Sequence, residues 1–273
     1  MTPEDPHDAV DVPEEHALLV VDMKEYSQIP EARMASTRSD LDDILATVFA
    51  QCMIGEITML ENAVKDRGDG AIFVLPARHA ARLVDPFLTH LSRALERHGR
   101  TRLASAPPIR LRASVHTGPL DPPDHRGDAV NDACRLVDSD AARSAMAAAV
   151  AHHVPLAAAI SDTVLRRTVR AGRTPSLGEH SFQRATALVD GKPDFQETCW
   201  LFVPTLAPAV ISPYLATNRD AAADGPQRQP APAAMRAPRD GHQDSVRQKG
   251  KASGTARLVQ VGRDYIASPE EQS

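Results

Sequence analysis

The sequence is poor in several features that mark particular classes of protein. Its 273 residues include only three cysteines, whose wide spacing fits neither a zinc-binding pattern nor a disulfide framework. It has no run of 18 apolar residues to span a membrane, and its acidic, proline-bearing start lacks the apolar core of a signal peptide. The net charge of −5 disfavours general nucleic-acid binding, which needs a basic surface. These absences predict a cytoplasmic protein that binds neither nucleic acid nor membrane.

Apolar residues are distributed unevenly, and this predicts the domain organisation. Between Leu215 and Leu258 there is no Leu, Ile, Phe, Trp or Tyr. Such a stretch cannot bury enough apolar surface to offset the entropy lost on folding. We therefore expect four parts: a disordered N-terminus at residues 1–15, a folded domain at 16–206, a disordered Ala/Pro/Gln-rich linker at 207–253, and a short β-prone motif at 254–267.

Within the domain, hydrophobic patterns predict strands and helices in alternation. The first half is expected to contain a strand at 17–21, a helix at 32–52, a hairpin with arms at 62–66 and 71–75, a helix at 82–98 and a strand at 109–115. The second half is expected to contain helices at 129–137 and 141–150, a strand at 156–160, a helix capped by Ser161 that runs to 169, and a closing hairpin at 182–188 and 199–203. This order predicts an α+β, ferredoxin-like fold with an antiparallel-type sheet, which by itself specifies no function.

Two aspartates stand where a metal site could form. Asp22 follows the first predicted strand directly, and Asp69 lies in the predicted hairpin turn. In a split β-α-β arrangement these strands lie side by side, so the two carboxylates would be neighbours. Magnesium prefers oxygen ligands and leaves room for substrate phosphates. Aspartates at strand ends are also commonly just solvated, so position alone leaves both interpretations open.

Five short motifs occur in one order along the domain. They are VVDMKEYS at 20–27, KDRGDG at 65–70, LRASVHTGP at 111–119, DHRGDAVNDACRL at 124–136 and AISD at 159–162. Together they resemble the catalytic domain of class III nucleotidyl (adenylate/guanylate) cyclases, over roughly residues 16–204. The resemblance implies a lyase that converts a nucleoside triphosphate, with ATP the leading candidate, to the 3′,5′-cyclic nucleotide and pyrophosphate.

The resemblance also implies a role for each matching residue of the substrate pocket. Asp22 and Asp69 match the pair that holds two Mg²⁺ or Mn²⁺ ions. Lys65 matches the lysine that selects adenine, and Asp124 matches the second selector, which accepts a hydrogen bond from the adenine amino group. Each residue also has a simpler interpretation: Lys65 as a surface ion-pair partner, for example, and Asp124 as a turn residue.

Two further matches fall on one predicted helix. Asn131 matches the residue that orients the ribose, and Arg135, four residues on, matches the arginine that stabilises charge at the α-phosphoryl group. In class III cyclases the metal-binding aspartates and this helix come from different chains. The resemblance therefore implies a two-fold homodimer with two equivalent sites. Both residues could instead be ordinary solvated helix positions.

The sequence departs from the family pattern in ways that keep alternatives open. Val20 stands where the family often has Phe, and prolines stiffen residues 121–126 around Asp124. The pocket could therefore admit another base, including a pyrimidine. The alternative function is a catalytically silent, cyclase-like nucleotide-binding adaptor.

The C-terminal motif has high strand propensity and no charge in its centre. Its core consists of Leu258, Val259, Gln260, Val261 and Gly262. Glutamine between apolar residues suits a cross-β stack, in which identical side chains form ladders. The segment 256–264 resembles bacterial amyloid signalling sequences, which are similar to the RHIM motif. The resemblance implies a partner protein that carries a matching motif, in bacterial signalling or defence. The alternative is a disordered tail, or a strand that docks on a sheet.

Overall fold

A computed structural model describes residues 11–59, 70–104 and 106–223, and every structural statement below refers to these. By its internal contacts the chain divides into one unit at 1–226 and a second at 227–273, which lies outside the described residues. The described elements, in chain order, are β1 (Glu15–Met23), α1 (Glu31–Gln51), β2 (Thr58–Met59), β3 (Gly70–Pro76), α2 (Ala80–Arg82), α3 (Leu88–Thr101), β4 (Leu111–Pro119), α4 (Asp128–Asp138), α5 (Asp140–Ala151), β5 (Leu156–Ser161), α6 (Asp162–Arg167), β6 (Gln183–Leu188), β7 (Gln196–Phe202) and α7 (Pro208–Ala223).

The strands form one seven-stranded sheet in the order β2-β3-β1-β4-β5-β7-β6. The first four strands pair antiparallel, with β1 between β3 and β4, which is the arrangement of a ferredoxin-like fold. The α+β, ferredoxin-like prediction is therefore confirmed. The sheet is mixed rather than purely antiparallel, because β5 pairs parallel to β4 before β7 and β6 complete the edge.

Strand β1 is buried on both faces, as its continuous apolar run predicts. Ala17, Leu19 and Val21 belong to the core that α1 and α3 cover. Leu18 and Val20 belong to a smaller core with residues of α4 on the opposite face. Because side chains alternate along a strand, Asp22 lies on the same face as Leu18 and Val20, the one that α4 covers.

The predicted helix at 82–98 is interrupted in the structure. A π-helical turn with Pro86 inside it spans Leu83–Phe87, and Asp85 has extended dihedral angles, with φ −139° and ψ 111°. Proline has no amide hydrogen to donate to a helix. The buried Asp85 carboxylate accepts a hydrogen bond from the Ser176 amide at 2.6 Å, so the irregular segment is fixed to a distant loop.

The start of the predicted linker is helical rather than disordered. Helix α7 occupies Pro208–Ala223, whereas the composition predicts a linker from residue 207. Ile211 is buried against α5 and β6, and Tyr214 and Leu215 pack beside it. Three apolar residues at helical spacing thus hold α7 on the domain. Among the helices described, none is both long and apolar enough to cross a membrane.

Candidate functional site

Asp22 lies near the end of β1, with a paired strand on each side. Its register partner in β3 is Gly70, and its register partner in β4 is Arg112. Nε of Arg112 donates a hydrogen bond to Oδ2 of Asp22 at 3.0 Å, and a terminal guanidinium nitrogen of Arg112 contacts the same oxygen. Counted over the whole residue, Asp22 is only 7% exposed. A buried carboxylate is costly unless it is paired, and Arg112 supplies the pairing charge.

Arg112 lies within reach of a second carboxylate. A terminal guanidinium nitrogen is 3.9 Å from Oδ1 of Asp138, at the end of α4. The side chains of Asp22, Arg112 and Asp138 have exposed fractions of 10%, 15% and 25%. One guanidinium therefore stands between two carboxylates in a mostly buried position, where ion pairs are screened less than at the surface.

Other cations surround this end of the sheet. The Lys24 amide donates a hydrogen bond to the Arg110 carbonyl at 2.9 Å, and the Lys24 ammonium pairs with the Glu25 carboxylate. Burial, followed by repulsion from Arg110 and Arg112, lowers the pKa of Lys24 below its usual value. Three cations, Lys24, Arg110 and Arg112, thus stand among the three carboxylates of Asp22, Glu25 and Asp138 at this end of the sheet.

Asp124 lies in a different place from Asp22. It is in the loop after β4, where the Asp121 and Arg126 backbones pair and the Leu120 amide donates to the Glu14 carbonyl, at the start of β1. Its carboxylate is mostly exposed and forms an ion pair with Arg126 at 3.0 Å. Seven residue-to-residue steps of extended strand, about 24 Å in all, separate Glu15 from Asp22. Asp22 and Asp124 of one chain therefore lie at opposite ends of β1.

Helix α4 packs on the sheet through small residues. Ala129 and Ala133 are buried, and the Ser114 hydroxyl of β4 donates a hydrogen bond to the Ala133 carbonyl at 2.7 Å. Asn131 is exposed in the first half of the helix, and Arg135 follows it by four residues. Since residues four apart share a helix face, the structure places these two predicted site residues together.

The Arg135 guanidinium has its own partners in this chain. A terminal nitrogen donates to Oδ1 of Asp132 at 3.2 Å, and the guanidinium carbon is 5.5 Å from the centre of the Phe195 ring. Nε of Arg135 is buried and has no hydrogen-bond partner in the part of the chain that the structure describes. About a third of the side chain is exposed, so Arg135 can reach outward if these contacts are exchanged.

His116 lies on the same face of β4 as Arg112 and Ser114. Burial lowers the pKa of His116 below its ordinary value of 6.5, and the nearby Asp132 carboxylate partly offsets this shift. This shift favours the neutral form of the imidazole at neutral pH.

Gly118 lets the start of α4 approach the sheet closely. A Cβ atom at this position would lie 2.7 Å from the Ala129 Cβ, much closer than two carbon atoms can pack. We expect Gly118→Ala to lower the free energy of unfolding by about 1–3 kcal/mol, because α4 must move away from β4. Urea denaturation of the full chain measures this change.

The matched control for this substitution is Gly99→Ala. Gly99 is inside α3, and apart from its chain neighbours and the helix backbone no atom of the described residues lies within 4 Å of a Cβ built there. Alanine has the higher helix propensity, so Gly99→Ala should leave the stability unchanged or raise it. If Gly118→Ala is as stable as the wild type, the close packing of α4 on β4 is contradicted.

Several predicted site residues lie outside the described residues. They are Lys65, Asp69 and the C-terminal residues Leu258, Val259, Gln260, Val261 and Gly262. The side-by-side arrangement of the two strands, which the paired-carboxylate hypothesis requires, is confirmed by the pairing of Asp22 with Gly70, the residue after Asp69. The positions of Lys65 and Asp69 themselves stay predictions.

Sequence reasoning missed Arg112, Asp138 and Phe195. A signal for Arg112 was present, because it alternates with the apolar Leu111, Ala113 and Val115 in a predicted strand. That pattern places Arg112 on the face opposite the main core. It does not show which residue of the neighbouring strand is its partner, because antiparallel register depends on the whole sheet.

The donor chemistry at Asp22 fits a hard divalent cation. Mg²⁺ is commonly held by one or two carboxylates together with substrate phosphates, and Asp22 supplies one such carboxylate at a strand end. Within residues 11–59, 70–104 and 106–223, no cluster of three or more His, Cys, Asp or Glu side chains could hold a metal ion. Within the described residues, the candidate metal site thus consists of the single carboxylate of Asp22, which is paired with Arg112.

Comparisons with known proteins gave structural matches. No protein-family model matches the sequence, and no curated protein is significantly similar to it. An adenylate/guanylate cyclase/hydrolase from Silicibacter pomeroyi is 20% identical, with a TM-score of 0.47 and coverage of 71% of this chain and 98% of that chain. A dimeric guanylyl cyclase domain of the RhoGC fusion protein from the aquatic fungus Blastocladiella emersonii is 15% identical, with a TM-score of 0.43 and coverage of 71% and 98%. The adenylyl cyclase CyaB from P. aeruginosa is 10% identical, with a TM-score of 0.42 and coverage of 70% and 96%.

Proposed function

We propose that the chain is a nucleotidyl cyclase that converts a nucleoside triphosphate, with ATP the leading candidate, to the 3′,5′-cyclic nucleotide. In this reaction the ribose 3′-oxygen forms a bond to the α-phosphorus. The bond from the α-phosphorus to the bridging oxygen breaks, pyrophosphate leaves, and the hydroxyl proton goes to solvent. Divalent cations, when bound, would lower the pKa of the 3′-hydroxyl and neutralise triphosphate charge.

The observation that carries the proposal is the register between β1 and β3. Asp22 pairs with Gly70, and Asp69 precedes Gly70 in the sequence. The strand pairing therefore supports the hypothesis that Asp22 and Asp69 act as a pair of carboxylates. Such a pair, Asp22 with Asp69, would hold Mg²⁺ or Mn²⁺ ions together with the triphosphate.

The other proposed roles belong to residues that handle the organic part of the substrate. Lys65 donates to an adenine ring nitrogen, and Asp124 accepts from the adenine amino group. Asn131 orients the ribose. Arg135 stabilises the charge that develops at the α-phosphoryl group, which is where a fixed cation accelerates phosphoryl transfer.

The distribution of these residues supports a site between two chains. Asp22 and Asp124 lie at opposite ends of β1 within one chain, which argues against both acting on one nucleotide from the same chain. A two-fold homodimer would place Asp22 and Asp69 of one chain against Lys65, Asp124 and α4 of the other, and this would form two equivalent sites. We propose such a dimer as the active form.

One observation favours the alternative, a catalytically silent cyclase-like adaptor. Asp22 is already paired with Arg112, and Arg135 is paired with Asp132. A chain in which these pairs never open would keep the fold without the reaction. Such an adaptor would act through the C-terminal segment at 254–267, for which we propose a homotypic recruitment role in either case.

A product assay separates the two functions. The purified full chain is incubated with ATP, GTP, CTP or UTP and either Mg²⁺ or Mn²⁺, and products are identified by mass spectrometry. We expect cyclic AMP from the wild type and none from Asp22→Asn. The control is Asp40→Asn, which alters an exposed carboxylate paired with His98 at 3.2 Å and should leave turnover unchanged. A different cyclic nucleotide would contradict only the base assignment, whereas no product from any folded sample would favour the adaptor.

A further inference from the structure

We propose that Arg112 is a built-in competitor for the metal-binding carboxylate of Asp22, and that cation binding transfers the guanidinium to Asp138. This inference rests on the proposed function, because it assumes that Asp22 holds a divalent cation. Asp22, Arg112 and Asp138 form a three-residue relay, in which one guanidinium has two carboxylates within reach.

The present geometry favours Asp22 as the first partner. Two nitrogens of Arg112 contact the same oxygen of Asp22, while the distance to Asp138 is 3.9 Å. The Asp22 carboxylate is the more buried of the two, so it gains more from a neutralising partner. In the absence of a cation, the Arg112 guanidinium therefore forms its closer ion pair with Asp22 rather than with Asp138.

A divalent cation at Asp22 changes this preference. The cation would stand next to a guanidinium in a poorly solvated position, where like charges repel strongly. Asp138 is near enough to receive the guanidinium through a small side-chain movement, since the two groups are already 3.9 Å apart. The transfer keeps Arg112 paired, so no buried charge is left alone.

Because of where Asp138 lies, the relay also affects α4, which carries the proposed substrate-binding residues Asn131 and Arg135. Asp138 is the last residue of α4, the helix that also carries Asn131 and Arg135. When Arg112 moves to Asp138, the end of this helix gains a closer link to β4. Cation binding at Asp22 would thereby fix the helix that a second chain would use.

The test is Mn²⁺ binding by the nucleotide-free full chain, measured by electron paramagnetic resonance of free Mn²⁺. Arg112→Gln keeps a hydrogen-bond donor beside Asp22 and removes the competing charge. We expect this variant to bind Mn²⁺ about tenfold more tightly than the wild type, because a like charge next to the site is gone. We expect Asp138→Asn to bind Mn²⁺ more weakly, because Arg112 loses its second partner.

The matched control is the same substitution at Arg110, the arginine two residues before Arg112 in the sequence. Arg110→Gln lowers the positive charge near Lys24 without breaking either Arg112 ion pair, and we expect its Mn²⁺ affinity to stay near that of the wild type. The tighter binding of Arg112→Gln should also vanish when Asp22→Asn is added. If Arg112→Gln binds Mn²⁺ no more tightly than the wild type, the relay is overturned.

The outcomes also separate this inference from the proposed function. Asp138→Asn alters a partly exposed side chain, so we expect this variant to fold even if Arg112→Gln does not. Its Mn²⁺ affinity is then a test of the relay by itself. An affinity equal to that of the wild type overturns the relay. Cyclic nucleotide production together with equal Mn²⁺ affinities would overturn the relay and leave the cyclase proposal standing. Neither product nor Mn²⁺ binding in any variant would overturn both.

Discussion

Mixing two inactive variants, Asp22→Asn and Arg135→Ala, should restore about a quarter of the wild-type cyclase activity. In a two-fold dimer, each site takes Asp22 from one chain and Arg135 from the other. About half of randomly exchanged dimers contain one chain of each kind. Each mixed dimer has one intact site and one site with both substitutions. Each variant alone should retain less than about 1% of the activity, because Asp22→Asn removes a carboxylate that would hold the divalent cations and Arg135→Ala removes the fixed charge at the phosphoryl group.

The matched control uses two substitutions that affect the same half of the site. Asp22→Asn mixed with Asp69→Ala should remain inactive, because every site would still lack one of the two carboxylates. Cyclic nucleotide is measured after the chains have been unfolded and refolded together. Restored activity in the control mixture, or none in the test mixture, would contradict a site built from two chains.

Replacing Arg135 with alanine should lower kcat by about 100- to 1,000-fold with little change in KM. The proposed role of Arg135 is to stabilise charge that exists only in the transition state, and losing one such donor has effects of this size. Stability should change little, because the side chain is about one-third exposed and its ion pair with Asp132 is partly solvated. Steady-state kinetics and thermal unfolding measure the two effects separately.

The chain contains a close control for this substitution. Arg143 pairs with Asp140 on α5 in the same i, i+3 arrangement, at 3.5 Å, and is similarly exposed. Arg143→Ala should change kcat by less than about twofold, as is usual for a surface ion pair without a role in the reaction. If both arginine variants lose activity equally, the effect of Arg135→Ala is general and its proposed role is wrong.

The parts of the fold that the sequence predicted best are those with a local cause. The apolar run in β1 and the periodic Leu41 and Leu45 of α1 predict elements that the structure contains. Ser161 also caps α6 as predicted, with its side chain accepting a hydrogen bond from the Val164 amide. In each case a few neighbouring residues specify the conformation, so the pattern can be read without knowing the fold.

The features that were missed depend on contacts between distant segments. The break at Asp85 is fixed by Ser176, which is 91 residues away. The ion pair of Asp22 and Arg112 depends on the register of β1 with β4, which no local pattern specifies. The same holds for α7, whose few apolar residues are sufficient only because α5 and β6 offer a surface to cover.

Helix α7 also determines where the coding sequence of this domain can be recombined without damaging its core. A recombination joint placed after Leu206, where the composition changes, would separate Ile211 and Tyr214 from the core that they cover. A joint placed after Ala223 would transfer the domain with that surface intact. Lineages that swap C-terminal segments onto this domain should therefore share sequence through α7 and diverge only beyond it.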